Sequence, residues 1–137
     1  MKELEVAASA DCLDAVIDFI NAQLAPVGCP AETKHAIDIA AEEVFVNIAQ
    51  YAYPAGASGK AVIEASFSEK PLSLHLTFMD WGRPYNPLAH PDPDVKALSL
   101  EQRRGGGMGV YIVKKSMDAV DYEYKDGKNI LTIKKNL

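Results

Sequence analysis

Leu4 and Val6 alternate with Glu3 and Glu5, a period of two that predicts a short strand over residues 2–8. The period then lengthens. Leu13, Val16, Ile17, Ile20 and Leu24 recur at helical spacing and predict an amphipathic helix from Asp11 to Gln23, closed by Pro26 and Gly28. Pro30, a favoured first-turn residue, opens a second helix that carries Ala36, Ile39, Ala40, Val44 and Ile48 and runs to Tyr51. Pro54-Ala-Gly-Ala-Ser-Gly59 reads as a loop.

Alternation returns in residues 60–68, where Val62, Glu64 and Ser66 oppose Ile63, Ala65 and Phe67. It continues in residues 72–79, with Leu72, Leu74, Leu76 and Phe78 on one face and Ser73, His75, Thr77 and Met79 on the other. The stretch from Asp80 to Gly107 is rich in Pro, Gly and charge, and is longer than an ordinary connection. A helix from Gly109 to Met117 follows. Two alternating runs, Val120–Lys125 and Asn129–Lys135, flank Asp126-Gly127, a strong hairpin signal. The order β-α-α-β-β-α-β-β predicts an α+β fold with helices on one face of a mixed or antiparallel sheet. With no repeat, low-complexity tract or dividing linker, residues 1–137 read as one domain.

Composition narrows the picture. The 137 residues suffice for one core without disulfides or metal, and 48% hydrophobic with 24% charged residues is a globular composition. A net charge of −5 with both signs scattered argues against a general nucleic-acid or anionic-membrane binder. Cys12 and Cys29 lack metal-ligand spacing and read as reduced, buried residues. His35, His75 and His90 form no pair with metal spacing. No apolar run approaches a membrane span, and the first residues lack the core of a secretory signal, so the cytoplasm is the expected compartment.

Three segments could carry chemistry. On the second helix, Glu43 and Asn47 stand four apart and share a face. The Asn47 carbonyl oxygen suits magnesium and the Glu43 carboxylate suits orienting or deprotonating a nucleophile, although a plain polar helix face would look the same. Asp80-Trp-Gly82-Arg-Pro84-Tyr-Asn-Pro87 follows an apolar strand. It sets a carboxylate beside backbone that a flat ring can approach, and Asp80 could accept from an exocyclic amine such as adenine's; an ordinary Asp turn is the alternative. Arg103-Arg104-Gly105-Gly106-Gly107-Met108-Gly109 leads into a helix. Glycine amides and a helix start suit phosphate, with charge-assisted help from the arginines, whereas a flexible surface loop is the simpler reading. The segment fits neither the P-loop nor the dinucleotide fingerprint.

In this order the segments resemble the N, G1 and G2 boxes of the GHKL ATPase superfamily, which covers gyrase, heat-shock chaperone, histidine-kinase and mismatch-repair ATPase domains. Within it the chain is most similar to bacterial anti-sigma-factor serine/threonine-protein kinases of the stand-alone type. The likeness rests on Glu43-x-x-x-Asn47 with Tyr51-Ala-Tyr53, on Asp80-x-Gly82-x-Pro84-Tyr-Asn-Pro87, on Gly107-Met-Gly109, and on the closing Gly127-Lys-Asn-Ile-Leu-Thr132. Arg104 stands one residue further from Gly107-Met-Gly109 than in similar members, with an extra glycine between, and Lys128 and Asn129 stand where some members carry Thr beside the nucleotide; neither of the latter two is assigned a role.

The resemblance implies a two-layer α/β sandwich of Bergerat type that binds ATP and Mg2+. It implies that Asn47 holds magnesium, that Asp80 and Gly82 meet the adenine, that Pro84 belongs to the nucleotide site, and that Arg104, Gly105, Gly106, Gly107, Met108 and Gly109 meet the phosphates. Glu43 is then the base that activates an incoming hydroxyl. The group phosphorylates a serine of an anti-anti-sigma partner of STAS type, sequesters a sigma factor, and commonly works as a homodimer. Two other readings stay open: a nucleotide-dependent binding module without kinase activity, and the catalytic domain of a histidine kinase. The latter needs a phospho-acceptor His on a dimerisation helix, and His35 lies inside the motif helix itself.

Overall fold

The computed structural model describes residues 1–89 and 109–137. Strand β1 spans Lys2–Ala7. Helices α1 (Leu13–Leu24) and α2 (Ala31–Tyr51) follow. Strands β2 (Lys60–Ser68) and β3 (Ser73–Asp80) come next, then helix α3 (Gly109–Ser116) and the closing strands β4 (Ala119–Lys125) and β5 (Lys128–Asn136).

Element boundaries moved by one or two residues from the sequence expectation, with local causes. Ser9 caps a short 3-10 turn over Ala10–Cys12, its hydroxyl accepting from Asp11 N at 3.4 Å, so α1 begins at Leu13 rather than Asp11. Pro30 sits outside α2 in an extended conformation (ψ 149°), and its carbonyl accepts from Lys34 N at 3.0 Å. The final hairpin turns on Asp126 and Gly127, both with positive φ (54° and 77°), the geometry a two-residue turn requires.

The sheet order is β1-β2-β3-β5-β4 and every pairing is antiparallel, which resolves the mixed-or-antiparallel expectation. Period two then divides the strands. Ile63, Ala65, Leu74, Leu76, Phe78, Leu131 and Ile133 join the buried core, whereas Glu64, His75, Thr77 and Thr132 lie at alternate positions and are only partly buried. Val16, Ile20 and Leu24 of α1, at i, i+4, i+8, and Ile37, Ala41, Val44 and Ile48 of α2, at i, i+4, i+7, i+11, complete that core. Helix α3 adds Val113, and its last turn is closed by Lys135 Nζ donating to the Ser116 carbonyl at 2.7 Å. The result is a layer of helices on one face of a five-stranded sheet.

Both cysteines are free and partly buried against the core. His75 Nε2 lies 2.7 Å from Ser68 Oγ across the β2–β3 hairpin. Among the described residues no helix is long and apolar enough to cross a membrane, and no group of three or more His, Cys, Asp and Glu is arranged to hold a metal ion.

Candidate nucleotide site

Antiparallel register brings the C-terminal end of β3 beside the start of β5, with Asp80 directly opposite Asn129. The C-terminal half of α2 and the start of α3 lie above. These elements line an open cavity. Its walls are largely apolar, with Val44, Ile48, Phe78, Val113 and Leu131 contributed by helices and sheet, and its polar groups include Asn47, Asp80, Tyr122 and Asn129.

Asp80 is only 4% exposed. Its Oδ1 accepts from Gly82 N and from Asn129 Nδ2, each at 2.9 Å. The first of these is an Asx turn, so the ordinary turn and the aimed carboxylate are one arrangement here. Burial raises the Asp80 carboxyl above its usual range, and the two hydrogen bonds partly oppose that. The carboxylate is therefore held in the cavity wall at a cost to its charged form, the pattern of a functional-site candidate.

Asn129, also buried, ties the site together. Its Nδ2 donates to Asp80 Oδ1 and to the Arg83 carbonyl at 2.8 Å; its Oδ1 accepts from Tyr85 N at 3.1 Å and from the Tyr122 hydroxyl. Burial pushes the Tyr122 phenol up, which keeps it protonated as a donor. Sequence reasoning left Asn129 unassigned and did not find Tyr122. The signal was the β3–β5 pairing, which no local pattern contains.

The chain leaving β3 is clamped to the end of α2. Arg83 N donates to the Ala52 carbonyl and Arg83 Nε to the Tyr51 carbonyl, both at 3.0 Å, satisfying two of the open carbonyls of that helix end. Gly82 makes this approach feasible, because a Cβ there would overlap the Ala52 carbonyl. Tyr53 adds a second clamp: its hydroxyl donates to the Lys60 carbonyl at 2.6 Å and accepts from Trp81 N at 2.8 Å. Trp81 is 40% exposed and carries Lys60 Nζ 4.7 Å from its ring centre, on the surface and outside the cavity lining.

On α2, Asn47 lines the cavity, and Glu43 lies one turn earlier against the start of α3. A Cβ on Gly109 would overlap Glu43 Oε2, so the missing side chain at 109 leaves room for that carboxylate. Burial, then repulsion from Glu42, raises the Glu43 carboxyl above its ordinary value.

Of the residues expected from sequence, Asn47 and Asp80 line the cavity, Glu43 and Gly109 touch at its α2–α3 side, and Gly82 acts through packing. Pro84 is exposed and absent from the lining, whereas its neighbours Arg83 and Tyr85 line it. Arg103, Arg104, Gly105, Gly106, Gly107 and Met108, as well as His90, lie outside the described residues.

A curated relative, the serine/threonine-protein kinase BtrW of Bordetella bronchiseptica, is 28% identical over 103 residues, which is 75% of this chain and 70% of that protein. Among solved structures, the RsbU and RsbW domains of Rv1364c from Mycobacterium tuberculosis match all of this chain with a TM-score of 0.65 at 13% identity. The blue-light activated histidine kinase EL346 of Erythrobacter litoralis matches 79% of it with a TM-score of 0.53 at 24% identity. The chain spans 33% and 31% of those two solved chains, and at such identities the likeness is one of fold. The matched fold includes the α+β sandwich described above. Residues 6–135 match the family described as the histidine kinase-like ATPase domain, and over that span the chain belongs to it.

Proposed function

We propose that this chain is an ATP-dependent protein serine kinase of the anti-sigma type, which phosphorylates a STAS-type anti-anti-sigma partner in the cytoplasm and, in another partner state, sequesters a sigma factor. The family and the kinase named among its relatives support the coarse reading. The observation that carries the nucleotide chemistry is a cavity lined by the buried Asp80 carboxylate, with the Glu43–Gly109 contact at its α2–α3 side. That spacing of functions suits a nucleotide whose base and phosphates need different chemistry.

In this reading the base enters the apolar part of the cavity and its exocyclic amine donates to Asp80. The triphosphate runs toward the start of α3, where the first N–H groups of a helix and its dipole favour negative charge. The donor set fits magnesium, since one amide oxygen from Asn47 leaves the remaining positions for phosphate oxygens and water, as that ion prefers. Magnesium bound there would neutralise phosphate charge. Glu43 receives the proton of the partner's serine hydroxyl as the oxygen attacks the γ-phosphorus and the bond to the departing ADP oxygen breaks. A raised carboxyl is a stronger base than an ordinary one, which suits that role. The rest of the acceleration comes from positioning and charge stabilisation.

The test is incubation with labelled ATP and candidate STAS-type proteins, comparing the parent with Glu43→Gln. The expected result is phosphoserine on one partner, ATP binding retained in the variant, and transfer reduced by about a hundredfold or more. Phosphohistidine would assign the chain to histidine phosphorylation instead. Nucleotide-dependent binding of the partners without transfer would make it a non-catalytic module.

A further inference from the structure

Asn129 has four hydrogen-bonding positions, and protein atoms fill all of them: Asp80 Oδ1, the Arg83 carbonyl, Tyr85 N and the Tyr122 hydroxyl. The neighbours also fix which way the amide points. Turned over, its oxygen would face a carboxylate and a carbonyl, and its NH2 would face the Tyr85 N–H. Asn129 is 7% exposed, so water offers no substitute for misplaced partners.

The consequence falls on Asp80. Its Oδ1 already accepts from Gly82 N and Asn129 Nδ2, which occupies both lone pairs of that oxygen. Oδ2 accepts no protein hydrogen bond among the described residues. The carboxylate therefore presents the cavity with one open acceptor oxygen, whereas an unrestrained aspartate presents two.

Purine bases differ on this point. The hydrogen-bonding edge of adenine has one exocyclic amine beside a ring nitrogen that accepts. Guanine has a ring N–H and an exocyclic amine side by side, two donors matched to a carboxylate with both oxygens open. In a dry pocket a donor left unpaired is strongly penalised.

We infer that Asn129 is the specificity-determining residue of this cavity: by occupying Asp80 Oδ1 it restricts the carboxylate to a one-donor base edge and disfavours guanine. It acts through Asp80 and touches no reacting atom, so it is a positioning residue. The inference rests on the reading that Asp80 receives the base.

The test measures equilibrium binding of ATP, GTP and ITP by calorimetry. ITP differs from GTP by loss of the 2-amino group alone, so the GTP-to-ITP ratio reports that donor. The parent protein is expected to bind ATP most tightly, and ITP about tenfold more tightly than GTP, the penalty of one unpaired donor. Asn129→Val frees a lone pair on Oδ1, and GTP should then gain about tenfold relative to ITP. Asn129→Thr has the same shape but keeps a hydroxyl donor, and should retain the parent order.

An unchanged GTP-to-ITP ratio in Asn129→Val, with binding of all three nucleotides weakened equally, would reduce Asn129 to a structural residue and overturn the inference. Should Asn129→Val not fold, the parent decides alone: GTP bound as tightly as ITP overturns it. Asp80→Asn separates the two levels. If it leaves the ATP-to-GTP ratio untouched, the base assignment itself fails. If that ratio collapses while Asn129→Val changes nothing, only the role of Asn129 fails.

Discussion

Replacing Gly82 by Ala adds one methyl group at the point where the chain leaving β3 crosses the end of α2. The new Cβ would overlap the carbonyl oxygen and carbon of Ala52, which are backbone atoms of a helix end. They cannot rotate aside as a side chain would. Overpacking against fixed atoms costs about 1–3 kcal/mol. Relief by separation would stretch the Arg83 N–H bond to the Ala52 carbonyl, now 3.0 Å, and lose about 1 kcal/mol more. Gly82 has no positive φ, so alanine suffers no backbone strain there and stiffens the unfolded chain, an offset of about 0.4–1 kcal/mol. The net expectation is a destabilisation of about 1–3.5 kcal/mol, or roughly 3–12 °C in Tm for a chain of this size. Because Gly82 N also holds Asp80 Oδ1, ATP affinity should fall in the same variant. Thermal and urea unfolding, followed by nucleotide titration, check both. A variant as stable as its parent would refute the claim that close approach to Ala52, rather than access for a ring, is what requires glycine at 82.

Gly109→Ala should behave oppositely: its Cβ meets the mobile end of Glu43, so stability should stay within about 0.5 kcal/mol while phosphoryl transfer slows, and unimpaired turnover would refute that contact's importance. Burial raises the Asp80 carboxyl above 3.8, so between that pH and the raised folded value the native state holds more protons than the unfolded one, and stability falls as pH rises through the window. Asp80→Asn should accordingly be at least as stable as its parent near pH 7, with the gap closing near pH 4; a gap of equal size at both would contradict the sign. Asn47→Ala should weaken the magnesium dependence of ATP binding, and an unaltered magnesium titration would remove Asn47 as the ligand.

Local periodicity was enough to read the described α-helices and strands, because a half-buried helix or strand writes its own repeat into the side chains. Leu74, Leu76 and Phe78 could face only a core, and Asp126-Gly127 could only turn. The same locality exposed Glu43, Asn47 and Asp80 as candidates, since their neighbours in sequence carried the pattern. What lay beyond reach were relations between distant segments. Asn129 meets Asp80 across 49 residues, and that meeting depends on β5 inserting between β3 and β4, a choice made by burial of whole faces. Two glycines also acquired more specific roles in the fold, Gly82 against the end of α2 and Gly109 against Glu43, because a missing Cβ has meaning only once its neighbour in space is known. The sequence by itself determined the elements and marked the residues that are candidates for chemistry. The tertiary structure decided which oxygen of Asp80 is occupied, because hydrogen bonds and overlaps act over ångströms in space, whatever the separation along the chain.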